Sequence, residues 1–178
     1  MGLGHKSSAI VCALLLAACS KKSPPPTLFE SNVATAAAAQ ITAKLHPPVR
    51  VLQIEITPDS LSMQVQDPAA PTHVDEYGYS RVGTSVSGPT PVQLQLINPK
   101  LEENLFNLED VNLAAVPEAV QEAIKQTALE GGGTVERIVI KRTLGIWPVP
   151  RNGDVQWTIS VRSPRETASA LRRRSRTC

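Results

Sequence analysis

The chain has 178 residues, of which 42% are hydrophobic and 19% charged, and its formal net charge is +2. This length suffices for one compact domain, or for two small ones that share a core. Four of the positive charges lie in the C-terminal segment LRRRSRTC, and without them the chain has fewer Lys and Arg than Asp and Glu. The body therefore lacks the basic surface expected of a nucleic-acid-binding protein.

A short apolar segment lies near the amino terminus. Lys6 precedes it, and the segment spans the ten residues from Ala9 to Ala18. A helix that crosses a bilayer needs about 20 apolar residues, so this one is too short for a permanent anchor. A basic start, a short apolar centre and small residues at the end are typical of a secretory signal. We predict that residues 1–18 are a signal peptide.

The end of this segment, Leu16-Ala17-Ala18-Cys19, resembles the lipobox of bacterial lipoproteins. In that family the cysteine thiol receives a diacylglycerol, the signal is cut before it, and the new amino terminus is acylated. The resemblance implies that the mature chain begins at a lipidated Cys19. Because Ser20 and not aspartate follows, it also implies an outer-membrane location, with the domain on the periplasmic face. The alternative is an ordinary secretory signal with a chance cysteine.

Residues 19–27 connect this cysteine to the domain. They contain two lysines and three consecutive prolines, and such a sequence favours an extended, polar tether. With Cys12 removed and Cys19 acylated, Cys178 is the remaining thiol. An internal disulfide and a cysteine-rich metal site are thereby excluded.

The segment FESNVATAAAAQITAKL predicts the first helix of the domain. Its apolar residues recur every four positions, Ser31 is expected to cap its start, and HPP to end it. The alternating segments VRVLQIEI and LSMQVQ, separated by TPDS, predict a half-buried β-hairpin. In the first strand Leu52, Ile54 and Ile56 share one face, and Val51, Gln53 and Glu55 share the other.

Two further strands and a connection are predicted next. HVDEYGYSRVG and TPVQLQLI have the character of strands, and LEENLFNLEDVNL is the connecting segment. VPEAVQEAIKQTALEGGG then predicts a second helix, with Pro117 in its first turn and glycines at its end. TVERIVIKRT and DVQWTISVRSP predict a second hairpin. Its core face is expected to carry Ile138, Ile140, Val155, Trp157, Ile159 and Val161.

The order helix, strand, turn, strand thus occurs twice. We predict an α+β domain at 28–171, made of two repeats, 28–98 and 99–171, with the helices on one face of an antiparallel sheet. Chance similarity of two amphipathic halves is the alternative. Residues 172–178, which hold the arginine cluster, are expected to be a frayed, solvated tail; contact with anionic lipid is the other interpretation.

The second repeat resembles a known family. A helix followed by GTVERIVIKR and GDVQWTISVRSP is similar to PepSY, a small module of protease propeptides and of membrane-attached or secreted bacterial proteins. The resemblance covers residues 115–163, with a fainter one at 29–80, and it implies binding or inhibition of a partner. The chain departs from PepSY in the loop LGIWPVPRNG and in having no clear third strand after RSP. A tandem β-lactamase-inhibitor protein is a weaker likeness.

The sequence contains little catalytic chemistry. His46 follows the first helix, and His73 lies near Asp75 and Glu76, but two ligands are too few for a closed metal site. Gly-x-Ser-x-Gly and His-Glu-x-x-His motifs are missing. The segment EGGGTVER follows a helix and precedes a strand, the reverse of a phosphate-binding loop. We predict a protein without enzymatic activity, metal or cofactor.

The sequence has features that favour binding over catalysis. GIWPVP presents Ile146, Trp147 and Val149 on a loop stiffened by prolines, and exposed aromatics on such loops are frequent anchors. The competing interpretation is that Trp147 completes the core. Tyr77 and Tyr79 are expected to form a surface stripe or to cover the sheet edge.

These observations favour a lipid-anchored module that binds or inhibits a periplasmic protein or an envelope component. It would use the sheet edge and the loop at 144–153, and nucleic acid is not expected as a partner. A structural subunit of an envelope assembly is the first alternative. A hydrolase with an unrecognised site is the second.

Overall fold

One antiparallel sheet organises the chain. The computed structural model describes residues 26–94, 100–129, 132–143, 153–163 and 167–173. The helices in these ranges are α1 (Val33–Thr42), α2 (Leu101–Asn104) and α3 (Val116–Thr127). The strands are β1 (Arg50–Ile56), β2 (Ser60–Gln66), β3 (Val74–Ser80), β4 (Ser85–Pro91), β5 (Phe106–Asn107), β6 (Thr134–Arg142), β7 (Val155–Arg162) and β8 (Thr167–Arg173). Two short 3-10 turns, Leu108–Asp110 and Leu113–Ala115, lead into α3.

The strand order is β4-β3-β2-β1-β6-β7-β8, and each pair of neighbours is antiparallel. The two-residue strand β5 pairs with β1 at Arg50 and Val51, whereas β6 pairs with β1 from Gln53 to Ile56. β5 therefore lies beyond the end of β6, on the same side of β1. The combination of helices with an antiparallel sheet confirms the predicted α+β class.

A single apolar cluster forms the main core. β2 buries the residues that alternation predicts, and β7 buries Trp157, Ile159 and Val161 but only half-buries Val155. α3 buries Val116, Ala119, Val120 and Ala123. α1 contributes three alanines and Ile41 to the same cluster. Since alanine side chains are short, the backbone of α1 can approach the sheet closely. The buried strand residues of this cluster are Val51, Ile54, Ile56, Leu61, Met63, Val65, Tyr79, Phe106, Val135, Ile138, Ile140, Trp157, Ile159 and Val161.

The first helix begins later than its apolar spacing predicts. Ser31 does not cap it: the N-cap is Asn32, without a side-chain hydrogen bond, and Ser31 has a φ of 45°. The turn before the helix is instead held by Glu30, whose carboxylate accepts hydrogen bonds from the backbone N–H and the hydroxyl of Thr27, at 3.0 and 2.9 Å. These two bonds lower the pKa of Glu30, because they favour its charged form.

The prediction of which β1 residues face the core is wrong at the start of the strand. The register of β1 against β2 shifts between Val51 and Gln53, so Leu52 lies in a β-bulge, which reverses the alternation on its amino-terminal side. Val51 is consequently buried in the main core, and Leu52 packs against a second, smaller cluster formed by Val74, Leu101 and Leu105.

The fourth strand is also displaced from its prediction. TPVQLQLI, at 90–97, alternates well, but the strand is Ser85–Pro91, and residues 95–99 lie outside the described ranges. Gly88, Pro89 and Pro91 disfavour a central strand. β4 tolerates them because it is an edge strand, with β3 as its neighbour.

A third strand follows the second hairpin, contrary to the prediction. β8 pairs with β7 from Arg162↔Thr167 to Gln156↔Arg173. Arg172 and Arg173, expected in a frayed tail, thus belong to a strand, because the ladder of β7 continues to Gln156 and holds their backbone. Residues 174–178 lie outside the described ranges.

The sheet has two ends, and the chain enters the domain at one of them. Leu28, the first buried residue of the described ranges, donates its backbone N–H to the carbonyl of Pro58 in the β1–β2 turn, at 3.0 Å. The β3–β4 turn at 81–84 lies at this same end, which we call the proximal end. The opposite end, where β6 and β8 finish at Arg142 and Arg173, is the distal end. Strands of seven residues separate the two ends by about 20 Å.

Replacement of Ile140 by alanine should lower the free energy of unfolding by about 2–5 kcal/mol, because the side chain is fully buried where β6 meets β1. Urea denaturation followed by tryptophan fluorescence measures this loss. Val82→Ala is the control, since Val82 is 83% exposed and its loss should change stability by less than about 0.5 kcal/mol. Equal effects of the two substitutions would contradict the described core.

Candidate functional site

The distal end of the sheet contains a polar cleft. It has a volume of about 260 Å³ and lies where β5 continues the line of β6 next to β1. α2 covers one side of it. The lining residues are Arg50, Glu102, Glu103, Leu105, Phe106, Asn107 and Arg142. We call this feature the distal cleft.

Arg142 organises the distal cleft. Its Nε donates to the carbonyl of Leu105 at 3.1 Å, and its Nη1 donates to the carbonyl of Gly153 at 3.2 Å. The guanidinium thereby ties the segment before β5 to the start of the β7 segment. It is half-buried, so these charge-assisted bonds are only partly exposed to competition from water.

The remaining charged groups of the cleft have both signs. Arg50 donates a long hydrogen bond of 3.5 Å from Nη1 to the side-chain oxygen of Gln66. Glu102 is exposed, and Glu103 lies 3.7 Å from the ammonium group of Lys100. Two arginines and two glutamates therefore line one small space. Such a site can form ion pairs and directional hydrogen bonds with a polar ligand.

The sheet face opposite the main core is largely polar. Gln53, Gln64 and Glu76 share one register row across it, and Glu55 and Ser62 share the next. Glu55 lies 3.8 Å from Arg137, and Glu136 lies 2.9 Å from Arg162. Pairs between exposed side chains contribute little stability. This face is consistent with a solvated surface, as is common for antiparallel sheets.

The two tyrosines predicted to contact a partner differ in exposure. Tyr79 is 7% exposed and belongs to the main core, so it presents little surface. Tyr77 is half-buried against the same core and is paired with Met63 in the β2–β3 register. Burial raises the pKa of the Tyr77 phenol, and the carboxylates of Asp75 and Asp67 raise it further. A partner contact by Tyr77 stays a prediction.

The other predicted site residues lie outside the described ranges: Ile146, Trp147, Val149 and Cys19. The described residues do include both ends of the loop that contains Ile146, Trp147 and Val149. Thr143 donates its backbone N–H to the carbonyl of Asp154 at 3.2 Å, and both residues lie at the distal end. The loop therefore leaves the sheet and returns to it beside the distal cleft.

Among the described residues, His46 and His73 do not assemble a site with other ligands. His46 and His73 are both exposed, and the described residues contain no group of three or more His, Cys, Asp or Glu side chains able to hold a metal ion. In the same ranges, no helix has the length and apolar character needed to cross a bilayer.

Comparison with known proteins returned nothing: no family model matches the chain, and no curated protein or solved structure is significantly similar to it. The resemblances to bacterial lipoproteins and to PepSY therefore depend on the sequence motifs alone. Both stay predictions.

Sequence reasoning missed the distal cleft. Arg50 and Arg142 are distant in the chain, and the pairing of β1 with both β5 and β6 brings them to one place. The available signal was weak: each arginine stands at the polar end of an alternating apolar strand. Such a residue looks like an ordinary strand boundary until the neighbouring strand is known.

Replacement of Arg142 by alanine should destabilise the protein by about 1–3 kcal/mol, since two backbone carbonyls lose a charged donor. Amide exchange at Leu108, whose N–H donates to the carbonyl of Val49 next to β5, should accelerate more than exchange in β2. Arg142→Lys should recover part of the loss, because an ammonium group can satisfy one carbonyl. The matched control is Lys141→Ala, which removes an exposed charge from the neighbouring position. An effect as large as that of Arg142→Ala would contradict this role for Arg142.

Proposed function

We propose that this protein is an outer-membrane lipoprotein whose periplasmic domain is a non-catalytic binding or inhibitory module. In this proposal the lipid on Cys19 holds the chain at the membrane, and the distal end engages a periplasmic protein or an envelope component. The observation that carries the proposal is the position of the distal cleft, at the sheet end opposite the point where the chain enters the domain.

The tether supports this arrangement. Nine peptide units separate Cys19 from the buried residue Leu28, and they can span at most about 30 Å. The attachment point keeps the proximal end near the bilayer on average. The distal cleft and both ends of the 144–152 loop are then about one strand length, or about 20 Å, farther away.

The chemistry of the cleft suits binding. Arg142 uses two of its donors on main-chain carbonyls, which fixes the orientation of its guanidinium group before any ligand arrives. A fixed donor loses less conformational entropy on binding than a mobile one. Arg50, Glu102 and Glu103 add charges of both signs at the same place.

We also propose that the domain is a duplicated unit, with both helices on one face of the sheet. α1 precedes the meander β1–β4, and α3 precedes the meander β6–β8. The first strands of the two meanders are neighbours in the sheet. Buried residues of both helices belong to the same apolar cluster. These features support a repeat related to the PepSY-like pattern of the sequence.

The proposal predicts that crosslinks to a partner form from the distal end. A photo-crosslinking amino acid at position 102, an exposed position of the cleft, should capture a specific envelope partner in intact cells. The same group at position 82, which is 83% exposed at the proximal end, should not. Cys19→Ala should abolish incorporation of labelled fatty acid and reduce the crosslink.

Three results would contradict the proposal: crosslinks from position 82 alone, crosslinks from neither position, or unchanged acyl labelling of Cys19→Ala. A partner recovered in fixed stoichiometry with the protein would favour the structural subunit over the inhibitor.

A further inference from the structure

The two edges of the sheet differ in their capacity to pair with another strand. On β4, Val92 donates its backbone N–H to the carbonyl of Val74 on β3 at 2.9 Å. The backbone N–H and C=O groups of successive residues point to opposite sides of a strand. An N–H at position 91 would therefore point away from β3, but position 91 is a proline and has no N–H. Pro89, in the adjoining bulge, removes a second donor. In addition, the ammonium group of Lys44 donates to the carbonyl of Val86 at 3.1 Å.

Prolines and lysines are devices that close sheet edges against further pairing. β4 carries two prolines, and a lysine occupies one of its carbonyls. This edge is therefore poorly suited to accept an added strand.

β8, at the other edge, contains neither proline nor lysine. The hydrogen bond from the N–H of Thr143 to the carbonyl of Asp154 shows that the backbone N–H and C=O groups of the even-numbered residues of β7 point toward β6. Those of the odd-numbered residues therefore point toward β8. In the β7–β8 register, the backbone groups of Ala168, Ala170 and Arg172 point toward β7. The outward backbone groups of β8 are those of Thr167, Ser169, Leu171 and Arg173. β8 contains no proline, and within the described ranges no strand pairs with its outer edge.

Charge distinguishes the two halves of the sheet. Strands β6–β8 contain six Lys and Arg and one Glu, a formal charge of +5. Strands β1–β4 contain one Arg and three Asp and Glu, a formal charge of −2. α3 packs against β6–β8 and contains two Glu and one Lys, so these four elements together have a formal charge of +4, which favours acidic partners over basic ones.

We infer that the outer edge of β8 binds an extended acidic segment of a partner protein, which adds a strand to the sheet. Backbone hydrogen bonds from the four outward positions provide the affinity, and the positive charge of β6–β8 selects an acidic segment. A second copy of this chain is disfavoured in that position, because each β8 carries two arginines and no acid.

This inference depends on the proposed function, and it names the edge and the partner chemistry that the binding module uses. It is tested with the full-length protein in detergent micelles and a fluorescent nine-residue peptide of alternating glutamate and threonine, blocked at both ends. Lysine replaces glutamate in the first control peptide. In the second control, the amides that would face β8 are N-methylated.

The acidic peptide should bind, with affinity that falls as salt is raised, and it should slow amide exchange at Thr167, Ser169, Leu171 and Arg173. Leu171→Pro removes one outward N–H without removing a donor to β7, and it should weaken binding about tenfold. Leu171→Ala loses the same side chain but keeps the N–H, so its affinity should stay within about twofold of the unmodified protein. If Leu171→Pro impairs folding, loss of binding by the N-methylated peptide tests the same bonds.

Equal binding of the lysine peptide, unchanged exchange at the four amides, or full binding of the methylated peptide would each overturn the inference. So would a dimer, detected by sedimentation without peptide, that protects the same amides. Crosslinks from position 102 without protection of β8 would reject this inference alone. Protection of β8 without those crosslinks would reject the distal-end proposal alone.

Discussion

The pairing of β1 with β6 is the interaction on which the rest of the structure depends. Ile54 is paired with Ile140, and Ile56 with Ile138, and all four side chains are fully buried. Each of these strands begins a separate antiparallel meander, so their shared ladder turns two small sheets into one. It also gives the helices a common surface.

The same pairing creates the distal cleft. β6 pairs with β1 only from Gln53 onward, and Arg50 and Val51 pair with β5 instead. Arg142, at the end of β6, then reaches the carbonyl of Leu105 immediately before β5. The junction of β6 and β5 along one edge of β1 therefore places charged groups of both signs at one end of the sheet. Leu28, near the start of the described chain, lies at the other end.

The sequence predicts the fold best where one face of a strand is fully buried. β2 and β7 follow strict alternation because a one-residue slip would expose their entire apolar set. Prediction fails where local rules have exceptions: the bulge at Leu52, the proline-containing edge strand β4, and β8, whose pairing with β7 accommodates Arg172 and Arg173. Ser31 was predicted to cap the first helix, but the carboxylate of Glu30 accepts the hydrogen bonds that hold the turn before this helix. The cleft could not be predicted, since it depends on contacts between residues far apart in the chain.

The most direct test of the account is the register between β1 and β6. Gln53 and Lys141 are directly paired at a position without mutual hydrogen bonds, where Cα atoms lie about 4.5 Å apart, a separation that suits a disulfide. In a chain whose native cysteines are replaced by serine, Gln53→Cys with Lys141→Cys should form a disulfide on mild oxidation and raise the unfolding midpoint. Gln53→Cys with Val139→Cys, displaced by two residues on the same face, should not. A disulfide in the second pair and none in the first would contradict the register, and with it the position of the distal cleft.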